Sequence, residues 1–308
     1  MATPIIVNGK RIGRWRASIL LLRESWRFLS ADKELMLIPL FTTFLNLVLF
    51  GLLFLVVAAV SRSFGVPVFT GDTLQNLDYA FLFGFYVIGA FTLALAQAAT
   101  VHTVYTRIHG GDATLGESLK TAFSHSGTLF VWALITSTVG IILQAISQRS
   151  QLLGKIVAGL LGAGWAVITF FVIPSIVITK KSAFESIPHS LATFKRTWGE
   201  TLVSNIGLGL AFLLMYLVAT AAVVGLIIGG TQLGNSFLIV VAIVLGVSWI
   251  IVASLAQSAL QGILKTLLYV YATEDRVPSN FNCELLEAML VRQKPAEAAT
   301  TSNVIPLN

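Results

Sequence analysis

Between Glu200 and Lys265 the chain runs for 64 residues without an Asp, Glu, Lys or Arg. At about 1.5 Å per residue, one helix of that length would far exceed a hydrocarbon core roughly 30 Å thick, so the run must fold back on itself. Gly229, Gly230, Gly234, Asn235 and Ser236 mark the reversal and divide the run into spans over residues 201–228 and 237–264. Four more uncharged stretches of spanning length cover residues 35–60, 79–106, 127–148 and 156–179. The expected fold class is all-α: a polytopic membrane helix bundle with six transmembrane helices. Only 11% of the 308 residues are charged, against roughly 25% in an average soluble domain.

The net charge of +6 does not point to nucleic acid, because the charges sort by membrane side. Arg62, Arg149 and Lys155 fall on the side of the first, third and fifth connections, and the other 17 basic residues fall opposite. The excess marks the cytoplasmic side, with both termini there, in a prokaryotic cytoplasmic (inner) membrane. Arg14, Arg16, Arg23 and Arg27 interrupt the apolar residues near the start, so no signal-peptide core is expected and the first span acts as its own insertion signal. The single Cys283 excludes an intrachain disulfide.

A polar-edged segment over residues 180–201 separates two long apolar runs. Phe184, Ile187, Leu191, Phe194 and Trp198 recur at steps of three and four, with Glu185, His189 and Arg196 opposite, as in a helix lying on a membrane surface. Trp15, Ile19, Leu22, Trp26 and Leu29 repeat the pattern against Arg16, Arg23, Arg27 and Ser30, and Leu115, Leu119, Ala122 and Phe123 repeat it against Glu117 and Lys120. The expected architecture is three pseudo-repeated hairpins, each preceded by an amphipathic cytoplasmic surface helix and related by an axis along the membrane normal. Short matches support it: Leu95-Ala96-Gln97 returns as Leu255-Ala256-Gln257, and Glu24-Ser25 as Glu117-Ser118 and Glu185-Ser186. Residues 1–14 read as a flexible, featureless N-terminus, 15–272 as the six-span membrane domain, 273–294 as a cytoplasmic amphipathic segment and 295–308 as a disordered tail. The sixth helix is expected to run past Lys265, Tyr269 and Tyr271 into water.

Depth singles out polar side chains. Gln97 lies ten residues before Arg107 and Gln257 eight before Lys265, which puts both near mid-membrane. Thr169 is the third unit's equivalent and Asn46 a further candidate. An amide in hydrocarbon must find a partner, so these side chains serve either as interhelical hydrogen bonds, with Ala94, Ala98, Ser254 and Ser258 allowing close approach, or as a permeation site. No acidic or basic residue occupies the middle of a span, which argues against a proton-coupled carrier. His102, His109, His125 and His189 read as interfacial polar residues rather than metal ligands. Phosphate-binding glycine loops, the HExxH zinc pattern and the GxSxG elbow are missing. Ser248 lies about 20 Å in depth from His102, too far for that base to activate it. No cofactor, metal or catalytic residue is expected. Arg16, Arg23, Arg27, Lys180, Lys181, Lys195 and Arg196 are candidate headgroup contacts. Pro174, behind Gly159, Gly162 and Gly164, marks either a kink or close packing.

Through Glu24-Ser25-Trp26, Asp32-Lys33-Glu34-Leu35 and Pro39-Leu40 the chain resembles an uncharacterised family of prokaryotic six-span integral membrane proteins, a domain of unknown function. The resemblance extends to about Tyr271. The Trp and the Pro-Leu that follows it are also distantly similar to the sulfate-permease family, which would imply anion passage. That family's pattern is not matched further along, so no binding residue carries over. The function expected is a non-enzymatic role in membrane organisation or a partner complex, with the lipid bilayer, a homo-oligomer or another membrane protein as partner. The alternative is a channel or facilitator for a small neutral or anionic solute, with Gln97, Gln257, Thr169 and Asn46 lining it. A hydrated path along the pseudo-axis would favour the channel; a dry, close-packed bundle with exposed apolar grooves would favour the scaffold.

Overall fold

The computed structural model describes residues 5–7, 10–12, 34–65, 76–149, 152–196 and 198–274. It is a helical bundle in which six helical stretches are long and apolar enough to cross a membrane. In chain order these are α1 (Glu34–Phe64), α2 (Asn76–Ile108), the short α3 (Leu115–Ser124), α4 (Ser126–Gln148), α5 (Leu153–Thr169) with α6 (Val172–Thr179) as one interrupted span, the short α7 (Ala183–Arg196), α8 (Trp198–Gln232) and α9 (Ser236–Glu274). With its polar backbone groups paired inside each segment, an uncharged helix is the natural spanning unit. The amphipathic segment expected over residues 15–30, with Arg16, Arg23 and Arg27, lies outside the described residues, as do residues 275–308.

A short antiparallel pair, β1 (Ile5–Val7) and β2 (Lys10–Ile12), stands in the tract expected to be featureless, with Ile5 opposite Ile12 and Val7 opposite Lys10. The β-branched Ile5-Ile6-Val7 run followed by Asn8-Gly9 is a strong hairpin signal in the sequence.

α2 is the hub. It packs against α1, α3, α4, α6 and α9. Small side chains let it approach α9: Ala94, Ala98 and Ala99 of α2 and Ala256 and Ala259 of α9 are all buried. A Cβ added to Gly262 of α9 would lie 2.6 Å from the Thr100 methyl of α2. Such small-residue contacts drive helix association where apolar burial alone gains little.

Local chemistry sets the breaks. α3 and α7 each begin with a capping box, Thr114 with Glu117 and Ser182 with Glu185, in which the hydroxyl accepts from the Glu backbone N–H at 3.3 Å and the carboxylate accepts from the cap N–H at 3.1 Å. Pro174 cannot donate to the carbonyl of Phe170, and the fourth span is interrupted at Phe170–Phe171, four residues earlier. The Phe171 N–H at the break is not left bare; it donates to the Ser190 hydroxyl of α7 at 2.9 Å.

Two expectations are corrected by packing. α9 does continue to Glu274, but not into water: Leu267, Leu268, Tyr269 and Val270 are buried under α6, α7 and α2. On α7 the buried face is Ala183, Ser186, Ser190, Thr193 and Phe194, while Phe184, expected to lead the apolar face, is 67% exposed. Small hydroxyls fit a close helix crossing and satisfy backbone groups there; in a bilayer a phenylalanine need not be covered by protein.

Candidate functional site

The structure disperses the expected polar residues over different helix pairs. Asn46 of α1 donates to the Thr92 hydroxyl of α2. Gln97 of α2 accepts from the Lys265 ammonium of α9 at 3.4 Å. Gln257 of α9 accepts from the Tyr216 hydroxyl of α8 at 3.1 Å. Thr169 donates to Trp165 O in its own helix at 2.8 Å, at the last turn before the break. A further pair that the depth argument passed over joins Tyr86 of α2 to Gln144 of α4 at 2.6 Å. Each amide thus ties α2 or α9 to a different neighbour.

A groove of about 280 Å³ lies between α1, α2 and α9, lined by the hydroxyls of Thr42, Thr43, Thr92, Ser254 and Ser258 and by Asn46. Thr43, Leu47, Leu93 and Ser254 at its rim are exposed, so it opens sideways from the bundle. The hydroxyls of Thr42, Thr43, Thr92 and Ser254 donate to carbonyls of their own helices, and that of Thr92 also accepts from Asn46.

Lys265 is the site residue that sequence reasoning missed. As the first charge after the 64-residue run it reads as the place where the helix leaves the bilayer. Instead the side chain is half-buried, against Gln97 and 5.1 Å from the centroid of the Phe170 ring at the break. The ion pairs among the described residues, Arg107 with Asp112 and His109 with Glu274, leave Lys265 without a carboxylate. The only signal in the sequence is its i+4 relation to Gln261 and Tyr269, which share one face of α9 with it.

Beyond Lys265 the buried end of α9 is polar. Ser175 of α6, fully buried, lies 3.1 Å from His189 Nδ1 of α7. The buried Tyr269 hydroxyl lies beside Ser175 and Thr179, with no well-formed hydrogen bond to any of the described residues. Burial, then the charges of Lys181 and Arg196, holds the His189 imidazole below its ordinary pKa and favours the neutral ring. Among the described residues no carboxylate is hydrogen-bonded to His189, so this hydroxyl–imidazole pair lacks the acid that would orient a base. The helix end is clasped by Glu274, which accepts from the Tyr105 hydroxyl at 3.1 Å and meets His109 Nε2 at 2.9 Å. Arg196 donates to Ala272 O at 3.4 Å. Of the other candidate headgroup contacts, Lys180 and Lys195 are exposed and Lys181 half-exposed. No group of three or more His, Cys, Asp or Glu able to hold a metal occurs among the described residues.

A family model described as a family of unknown function (DUF6159) matches residues 76–279, more than half of the chain and downstream of the Glu24–Leu40 motifs. No curated protein matches, and no solved structure does. None of these comparisons supports a likeness to sulfate permeases.

Proposed function

The chain belongs to that family of unknown function, and from this premise we propose that it is a non-enzymatic component of a prokaryotic cytoplasmic membrane, with both termini cytoplasmic, that organises the bilayer or a membrane-protein complex. The observation that carries the reading is the pairing of Asn46, Gln97 and Gln257 with three different helices around a close-packed α2–α9 contact, beside a largely apolar groove that opens sideways. Polar groups paired off in this way join helices rather than line a path. The three-hairpin repeat belongs to the same proposal, supported by the matching capping boxes of α3 and α7 and by the buried serine that follows each glutamate, Ser118 and Ser186.

In a Cys283→Ser background, single cysteines replace Ser254 in the groove or Val240 on the bare face of α9. Cross-linking in native membranes to a discrete protein partner, a second copy included, from Ser254→Cys but not from Val240→Cys is the expected result. Equal behaviour at the two positions would count against the groove. A second reading, a facilitator for a small neutral or anionic solute, is favoured by the Lys265 cation inside the bundle. Sulfate, chloride or polyol flux into liposomes that is selective and altered by Gln97→Leu with Gln257→Leu would replace the first reading with the second.

A further inference from the structure

We propose that the Lys265–Gln97–Phe170 junction is a binding site for a singly charged phosphate oxyanion. The ammonium has three donors. Among the described residues its polar contacts are one long bond to an amide oxygen, at 3.4 Å, and the face of one phenyl ring. Its neighbours on α9, Ile263, Leu264, Thr266, Leu267 and Leu268, are buried, and Lys265 itself is half-buried. A cation held there with no carboxylate partner among the described residues calls for an anion to balance it.

The junction is nevertheless reachable: Gln97, Thr169, Phe170, Gln261 and Lys265 all keep partial exposure. Because Oε1 of Gln97 faces the ammonium, its NH2 remains a donor, and the Gln261 amide lies one turn before Lys265 on the same face of α9. One cation flanked by amide donors matches an anion of charge −1 with several oxygens, as in a phosphodiester or dihydrogen phosphate. Lys265 is also the first charge after the 64-residue apolar run, the level at which lipid phosphates meet a spanning helix. Lipid phosphodiester and free phosphate share this chemistry. The site goes beyond the scaffold reading, which rests on the groove and on the α2–α9 packing and survives either outcome below.

The test is the thermal stability of the intact protein in dodecyl maltoside, titrated in separate arms with phosphatidylglycerol, with phosphate-free diacylglycerol and with inorganic phosphate. The expected result is a Tm rise of about 5 °C near a hundredfold excess over Kd with phosphatidylglycerol and none with diacylglycerol, abolished in Lys265→Gln and partly kept in Lys265→Arg. A rise with inorganic phosphate as well would support the site and identify the free anion as a ligand. Gln97→Leu, which keeps the charge and removes the amide, should weaken binding without abolishing it. If phosphatidylglycerol and phosphate stabilise the wild type and a folded Lys265→Gln protein equally, or stabilise neither, the proposal is overturned.

Discussion

The two halves of α9 belong to one continuous helix, yet they meet different surroundings. From Phe237 to Val252 the large side chains stand bare except for the half-buried Leu238, Ile239 and Val241, with Val240, Val244 and Leu245 each 57–58% exposed, and the two buried positions are Ala242 and Gly246. From Ala253 to Val270 most positions are buried and, Ser254 apart, the rest are half-buried; this part holds Lys265, Thr266 and Tyr269. In water this distribution would be inverted, since the hydrophobic effect covers the apolar half first. In a bilayer the lipid tails are as apolar as leucine, so burial in protein goes to small residues that permit contact and to polar groups that need it. Exposure of apolar side chains here marks the lipid-facing surface, and burial marks where α9 is recognised by its neighbours.

The sharpest way to break this comparison is to fill the contact of the enclosed half. Gly262→Val should push α2 and α9 apart and cost about 3 kcal/mol, because its Cβ meets the Thr100 side chain at 2.6 Å, whose hydroxyl is bonded to Ala96 O at 2.9 Å. Leu245→Ala, which removes about as much volume in the bare half as Gly262→Val adds in the other, should stay within about 0.5 kcal/mol. Denaturation in matched detergent checks both, and equal losses would show that the two halves are equivalent after all.

A smaller effect of opposite sign is expected at Tyr269. Removing a buried hydroxyl with no well-formed hydrogen bond to any of the described residues, in Tyr269→Phe, should stabilise the protein by about 1 kcal/mol. A loss instead would mean that the hydroxyl is satisfied in the membrane, by water or by Ser175.

The smallest effect is read through pH at His189, whose ring centroid is 6.1 Å from that of Tyr269. Its folded-state pKa is depressed below the ordinary 6.5, by burial and then by Lys181 and Arg196. Well above 6.5 both folded and unfolded chains carry the neutral ring and stability is unaffected. As pH falls below 6.5 the unfolded chain takes up the proton first, so stability declines until the folded ring titrates as well. The Tm should therefore drop on acidification in the wild type, and by less in His189→Gln.

Much of the bundle was legible because charge and length act locally. The 64-residue run requires a reversal wherever it sits, and Gly234, with φ of 61°, makes it. The capping boxes follow from Thr114, Glu117, Ser182 and Glu185, residues at fixed spacing within single turns. Pro174 left a kink and close packing open, and the structure shows the interruption at Phe170–Phe171, where the missing N–H acts on the residue four before it. The site was less legible. The depth argument selected Gln97 and Gln257 as equivalents, but rotation about α9 turns Gln257 toward Tyr216 and Lys265 toward Gln97. Depth is read along one helix, whereas a partner is chosen by the azimuth of two.

What the sequence determined by itself was the number of apolar spans and the reversal within the 64-residue run, because each depends on residues within a turn or on the absence of charge over a bilayer's thickness. Only the tertiary structure decided that Lys265 lies inside the bundle, that α7 buries serines rather than Phe184, and that the amides pair off between different helices. In lipid, apolar periodicity does not say which face meets protein; close contacts such as Gly262 against Thr100 do, and those exist only once the helices have packed.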